Sequence, residues 1–107
     1  MSATIETPNN DVISEYVNEA EQFFKLLANK TRLTVLYSLK DQELSVSDLL
    51  TRINVTQPVL SQHLALLREA RVVATRREGQ VIFYRLTDDR VLQTIRLMNA
   101  FFNESTD

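Results

Sequence analysis

The chain has 107 residues, 44% of them hydrophobic and 24% charged, with a formal net charge of −2, the composition of an ordinary globular domain rather than a disordered or fibrous chain. It has no cysteine, which excludes a disulfide framework, thiol catalysis, thiolate metal binding and cysteine redox sensing by the chain itself. The N-terminus lacks a basic region followed by an apolar core, and no apolar stretch is long enough to span a bilayer, so the sequence reads as one cytoplasmic domain with no membrane partner.

Residues 1–10, "MSATIETPNN", are polar and aperiodic, a flexible leader ending at an Asn/Asp helix cap; residues 11–107 form the single domain. Ile13, Tyr16, Val17, Ala20, Phe23, Phe24 and Leu27 recur at intervals of three and four, which predicts a helix over 11–28. Asn29 caps a second helix over 30–40, carried by Leu33, Leu36 and Leu39, and "KDQE" breaks it. Ser45, followed three residues later by Asp48, gives a capping-box start to a short helix with Val46, Leu49, Leu50 and Ile53. "NVT" ends that helix, Thr56 caps the next, and Pro58 lies in its first turn, where a missing N–H costs nothing. This helix runs over 57–69, with Leu60, Leu64 and Leu67 as its buried stripe and Gln57, Val59, Ser61, Gln62 and His63 on its flanks and outer face. A short helix, a three-residue turn and a second helix form a helix-turn-helix.

"VVATRR" and "VIFYRL" follow, two β-branched and aromatic runs joined by "EGQ", which holds the chain's one glycine; the pattern is a β-hairpin. Thr87, Asp88 and Asp89 start a last helix, whose apolar face comprises Val91, Leu92, Ile95, Met98, Phe101 and Phe102. The predicted fold is mainly α with a small β-hairpin, a winged helix-turn-helix.

Charge is segregated along this plan. Residues 1–24 hold five acids and no base, residues 25–87 hold ten bases against five acids, and residues 88–107 return a net −2. Phosphate responds to the local field at a face rather than to the total charge, so the basic middle is a candidate nucleic-acid surface. A solvated surface with chance asymmetry accounts for the same counts.

The segments "LLANKTRLTVLYSL", "ELSVSDLL", "TQPVLSQHLALLREARVV" and "TRREGQVIFYRL" resemble, in order and spacing, the blocks of the ArsR/SmtB family of dimeric bacterial transcriptional repressors. The resemblance covers about residues 23–98, and its most specific piece is Ser61-x-His63-Leu64-x-x-Leu67-Arg68. The chain departs from the family at Ala70-Arg71, where a glycine is usual near the helix end. The family's thiol sensors read C-V-C where this chain has Ser45-Val46-Ser47. Hydroxyls do not bind the soft metals that thiolates bind, so no arsenite, cadmium or lead site is expected here. The family's other sensor site draws histidine and carboxylates from the last helix. That helix here contains no histidine, only Asp88, Asp89 and the downstream Glu104, a set poorly matched to zinc. No metal and no cofactor is expected, and the chain is most similar to the branch containing the hemolysin-activator and nodulation regulators.

The resemblance implies a homodimeric, sequence-specific binder of double-stranded DNA acting on an inverted-repeat operator, as a repressor or by displacing a silencing protein. Its DNA contacts would be Thr56, Gln57, Val59, Ser61, Gln62, His63 and Arg68 from the helix-turn-helix, and Arg76, Arg77 and Gln80 from the hairpin. Gln57 suits adenine, and Val59 a thymine methyl. His63 is explained as well by a half-exposed structural histidine as by a phosphate contact. An enzyme using His63 with Ser61 or Ser47 is disfavoured, because residues two apart on a helix face different ways. Tyr16, Phe23 and Phe24 on the first helix, with Ile95, Met98, Phe101 and Phe102 on the last, carry more apolar face than a small core needs, and form the expected dimer interface. Core packing is the competing explanation for any one of them. A winged-helix module that binds a partner protein is the alternative function, double-stranded RNA a third, and an effector of unknown chemistry is left open.

Overall fold

In the computed structural model of the protein, residues 10–103 are described, with side chains from residue 13 onward. The leader predicted for residues 1–10 lies outside the described residues except for Asn10, as does Glu104. The elements are α1 (Asn10–Leu27), α2 (Lys30–Ser38), β1 (Leu44–Ser45), α3 (Val46–Arg52), α4 (Gln57–Glu69), β2 (Val73–Glu78), β3 (Val81–Leu86) and α5 (Asp89–Phe102). The helix-turn-helix is α3 and α4, and the wing is the β2–β3 hairpin.

Local chemistry sets these boundaries. Asn29 accepts the Arg32 N–H at 3.0 Å and starts α2. Ser45 Oγ accepts the Asp48 N–H, while the Asp48 carboxylate accepts the Ser45 N–H, both at 3.0 Å. This reciprocal capping box closes two donors that the first turn of α3 would otherwise leave open. Thr56 occupies the N-cap position of α4, but its hydroxyl makes no cap bond there; the expected Thr56 cap is positional only.

The sheet has three strands rather than the expected two. β1 pairs antiparallel with β3 through Leu44↔Tyr84 and Ser45↔Phe83, giving the order β1-β3-β2. A strand of two residues shows no alternation, and its second residue also caps α3, so no periodic signal marks it. The hairpin registers from Val73↔Leu86 to Glu78↔Val81, leaving a two-residue loop. Gly79 has φ +63 while Gln80 has a negative φ, the pattern of a type II′ turn with glycine first.

One core holds the fold together. Leu36 of α2, Leu49 of α3, Leu60, Leu64 and Leu67 of α4, and Val91 and Ile95 of α5 are essentially sealed from solvent. Ile95, expected at the dimer interface, is 0% exposed within one chain and belongs to this core. Phe23 and Met98 are half-buried against it.

α4 ends in a Schellman turn. The Val72 N–H reaches the Leu67 carbonyl at 3.1 Å and the Arg71 N–H reaches that of Arg68 at 3.0 Å, with Arg71 in the left-handed region at φ 63. The turn places buried Val72 against buried Leu67 and launches β2, as this motif does with glycine. A side chain with a Cβ pays about 1–2 kcal/mol there. Arg71→Gly relieves that strain but gives the unfolded chain more freedom, so we expect a net gain of about 0.5–1 kcal/mol, read as a higher urea midpoint at fixed protein concentration.

Asp88 caps α5 by accepting the N–H groups of Arg90 at 2.8 Å and Val91 at 3.2 Å, and its other oxygen pairs with the Arg90 guanidinium at 3.1 Å. The Arg90 side-chain bond, then the backbone N–H groups, hold the Asp88 carboxyl below the ordinary carboxylate range. A carboxyl lowered on folding adds stability above its unfolded pKa, about 3.9, and that stability is lost as pH falls through the folded value. Asp88→Asn keeps a capping acceptor but loses the charge. Its melting temperature is expected to fall less steeply than that of the parent below about pH 4.

Candidate nucleic-acid interface

The buried stripe of α4 determines what the helix shows to solvent. At about 100° per residue, Gln57, Ser61 and Arg68 lie on one flank of that stripe, His63 and Val59 on the other, and Gln62 is outermost. All of these are exposed except His63, which is half-buried. Thr56, ahead of the helix, is exposed with its hydroxyl free of the cap role.

The two flanks meet different neighbours. Ser61, Ala65 and Arg68 line a cleft of about 340 Å³ with Tyr84 of the wing. On the opposite flank, Nδ1 of His63 lies 3.2 Å from an Nη of Arg32 in α2. Ser61 and His63 thus diverge by about 160°, and the structure does not bring them together as a nucleophile and base.

The wing separates Arg76 from Arg77. Alternation puts Val73, Thr75 and Arg77 on the sheet face of Tyr84 and Leu86, and Ala74 and Arg76 on the other with Phe83 and Arg85. Arg77 therefore shares the face that flanks α4, and its side chain has no ion pair or hydrogen bond among the described residues. Arg76 is committed elsewhere. It bonds Glu43 at 2.8 and 3.0 Å and Glu78 at 3.3 Å, and its guanidinium lies 4.6 Å from the centre of the Phe83 ring. The Arg76 hydrogen bond holds the Glu43 carboxyl below the usual carboxylate range. Gln80 is exposed in the hairpin turn.

Ser45 is buried and engaged in its capping box, whereas Ser47 is exposed. Among the described residues, no group of three or more His, Cys, Asp or Glu side chains could hold a metal ion. No helix among them is long and apolar enough to cross a membrane.

A second surface lies on α1 and α5. Tyr16, Phe24, Phe101 and Phe102 are 69%, 61%, 68% and 76% exposed. Val17 and Leu97, which the interface expected from sequence did not include, are more than half exposed as well. Leu97 and Phe101 are one helical turn apart, and that spacing is their signal in the sequence. Arg32 and Tyr84 were also missed. Arg32 carries a local signal, since a cation in the first turn of a helix opposes the dipole and so points to a partner elsewhere.

Residues 29–75 match the family described as bacterial regulatory protein, arsR family. The HTH-type transcriptional regulator KmtR of Mycobacterium tuberculosis is 48% identical over 82 residues, covering 77% of this chain and 62% of that protein's length. The reduced HlyU structure from Vibrio cholerae superposes with a TM-score of 0.82 at 38% identity, covering 86% of this chain and 97% of that one. The transcriptional repressor BigR of Xylella fastidiosa superposes at 0.78 with 35% identity, covering 89% and 97%. This chain belongs to the arsR family. Its relatives are DNA-binding transcriptional regulators, and its fold is the winged helix-turn-helix.

The unequal arginines of the wing make a direct test. Arg77→Ala is expected to reduce the slope of log affinity for DNA against log salt by about 1, with Arg76→Ala changing it less, because the Arg76 charge is already offset within the protein. Titrations at several salt concentrations measure both slopes.

Proposed function

We propose that the chain works as a homodimer that binds an inverted-repeat DNA operator and regulates transcription without metal or cysteine sensing, as a cytoplasmic protein. The observation that carries this reading is the placement of an exposed polar helix face, Gln57, Ser61, Gln62 and Arg68, beside a wing whose unpaired Arg77 lies on the same side. A helix of this diameter fits the major groove, where Gln57 is suited to adenine and Val59 to a thymine methyl. Thr56, Arg77, Gln80 and the other polar residues of this face supply backbone contacts that set register rather than sequence.

The exposed aromatic faces of α1 and α5 support the dimer. Isolated exposed hydrophobes need no explanation, but a contiguous set including four aromatic rings is the mark of an interface. A two-fold pair built on these helices presents two copies of α4, which a two-fold operator with half-sites about 34 Å apart accommodates. Repression and relief of silencing both begin with occupancy of such a site.

Gel-shift titration with promoter fragments, a double-stranded RNA control and parallel sedimentation test this reading. We expect a saturable shift of DNA but not RNA, by a protein that sediments as a dimer. Gln57→Ala is expected to cost roughly 1–3 kcal/mol and relax preference at one position in each half-site. Leu97→Glu combined with Phe101→Glu is expected to give a monomer with strongly weakened binding. A protein that captures a partner protein yet shifts no promoter fragment would instead be an interaction module.

A further inference from the structure

Arg32 connects three helices. Its Nε donates to the Leu26 carbonyl at 2.6 Å and one Nη donates to the Lys25 carbonyl at 3.0 Å. Both acceptors lie in the last turn of α1, where carbonyls have no partner within the helix; the neighbouring Phe24 and Leu27 carbonyls are taken by the N–H groups of Ala28 and Asn29. The other Nη of Arg32 meets Nδ1 of His63, at 3.2 Å, on the flank of α4.

That last contact dictates the state of the imidazole. A guanidinium has donors only and stays protonated, so it bonds Nδ1 only when that nitrogen carries a lone pair. The proton of the neutral ring is then on Nε2. Among the described residues nothing accepts a hydrogen bond from Nε2. The donor is fixed in direction by a side chain that is itself anchored at two backbone carbonyls.

We propose that Arg32 is a positioning residue for DNA recognition: it holds His63 in the Nε2–H tautomer, so that α4 offers one oriented hydrogen-bond donor to an acceptor on the operator. The inference rests on the reading of α4 as the DNA-contacting helix. It makes His63 neither a free surface cation nor a purely structural histidine. Arg32 does not touch DNA in this scheme and acts through the ring.

His63 is the chain's one histidine, so nitrogen-15 labelling of histidine gives a single pair of ring signals in the full-length protein. At mildly alkaline pH the parent is expected to show a protonated Nε2 and an unprotonated Nδ1, and Arg32→Leu a mixture of the two tautomers. An unchanged spectrum in Arg32→Leu overturns the proposal. In operator titrations, His63→Asn keeps an acceptor near Nδ1 but lacks the distal donor, and is expected to bind on the order of tenfold more weakly. His63→Gln places an N–H near the Nε2 position and is expected to retain more affinity than His63→Asn. Adding Arg32→Leu to His63→Asn is expected to cost nothing further, since the arginine acts only through the ring. If Arg32→Leu fails to fold, parental affinity in His63→Asn is still enough to overturn the proposal. Specific binding by the parent that survives the Arg32 change removes this inference alone, whereas no specific binding by the parent removes the DNA reading and this inference with it.

Discussion

Leu60, Leu64 and Leu67 leave α4 on one side, at spacings of four and three, and all three are buried to within 1% of completely. Each sealed leucine contributes roughly 1.5–3 kcal/mol of transfer free energy, so the helix cannot rotate about its axis without exposing one or more of them. The rotational setting of the opposite face is thereby fixed. Gln57, Ser61, Gln62 and Arg68 need no interactions among themselves to be held on the solvent side, because the core on the other side of the helix sets where they point. The same core receives Leu36, Leu49, Val91 and Ile95, so α4, the helix that precedes it and the last helix are set by one packing arrangement.

Electrostatics then sorts the basic residues by what they are free to do. Arg76 lies between Glu43 and Glu78 and spends its charge fastening the wing to the chain just ahead of β1. Arg90 is paired with Asp88 and lies 5.5 Å from the centre of the Phe23 ring, where it ties the start of α5 to α1. Arg32 serves the carbonyls of α1. Arg77 and Arg68 have no such obligations among the described residues. A count of bases over residues 25–87 weights all of these equally, but a base paired with carboxylates, as Arg76 is with Glu43 and Glu78, contributes less than its full charge to the field that an approaching phosphate meets.

The parts of this arrangement legible in the sequence are those governed by short-range rules. Ser45 and Asp48 are three residues apart and announce the cap of α3. The leucines of α4 follow helical period, and "EGQ" marks the hairpin turn. What was not legible depends on distant partners or small angles. Ile95 and Phe101 both fall on the apolar pattern of α5. At about 100° per residue, however, Val91, Ile95 and Met98 face the core, while Leu97 and Phe101 form a second stripe roughly a quarter-turn away. The sequence shows both stripes as one broad face. β1 exists because β3 is there to pair with it, and Arg32 meets His63 across 31 positions of chain. Arg71 takes a conformation that glycine would have advertised.

The second stripe of α5 has a structural consequence for any assembly built upon it. Leu97 and Phe101 project from the same short helix whose other side, through Val91 and Ile95, is locked into the core that orients α4. The exposed stripe of α5 and the exposed face of α4 are therefore related by side chains packed at close to crystalline density, which transmit displacement rather than absorb it. A homodimer formed through α1 and α5 would consequently fix the distance between its two α4 helices without a dedicated linker. In such a homodimer, altering how those helices meet would change the spacing between the two α4 helices without altering either α4.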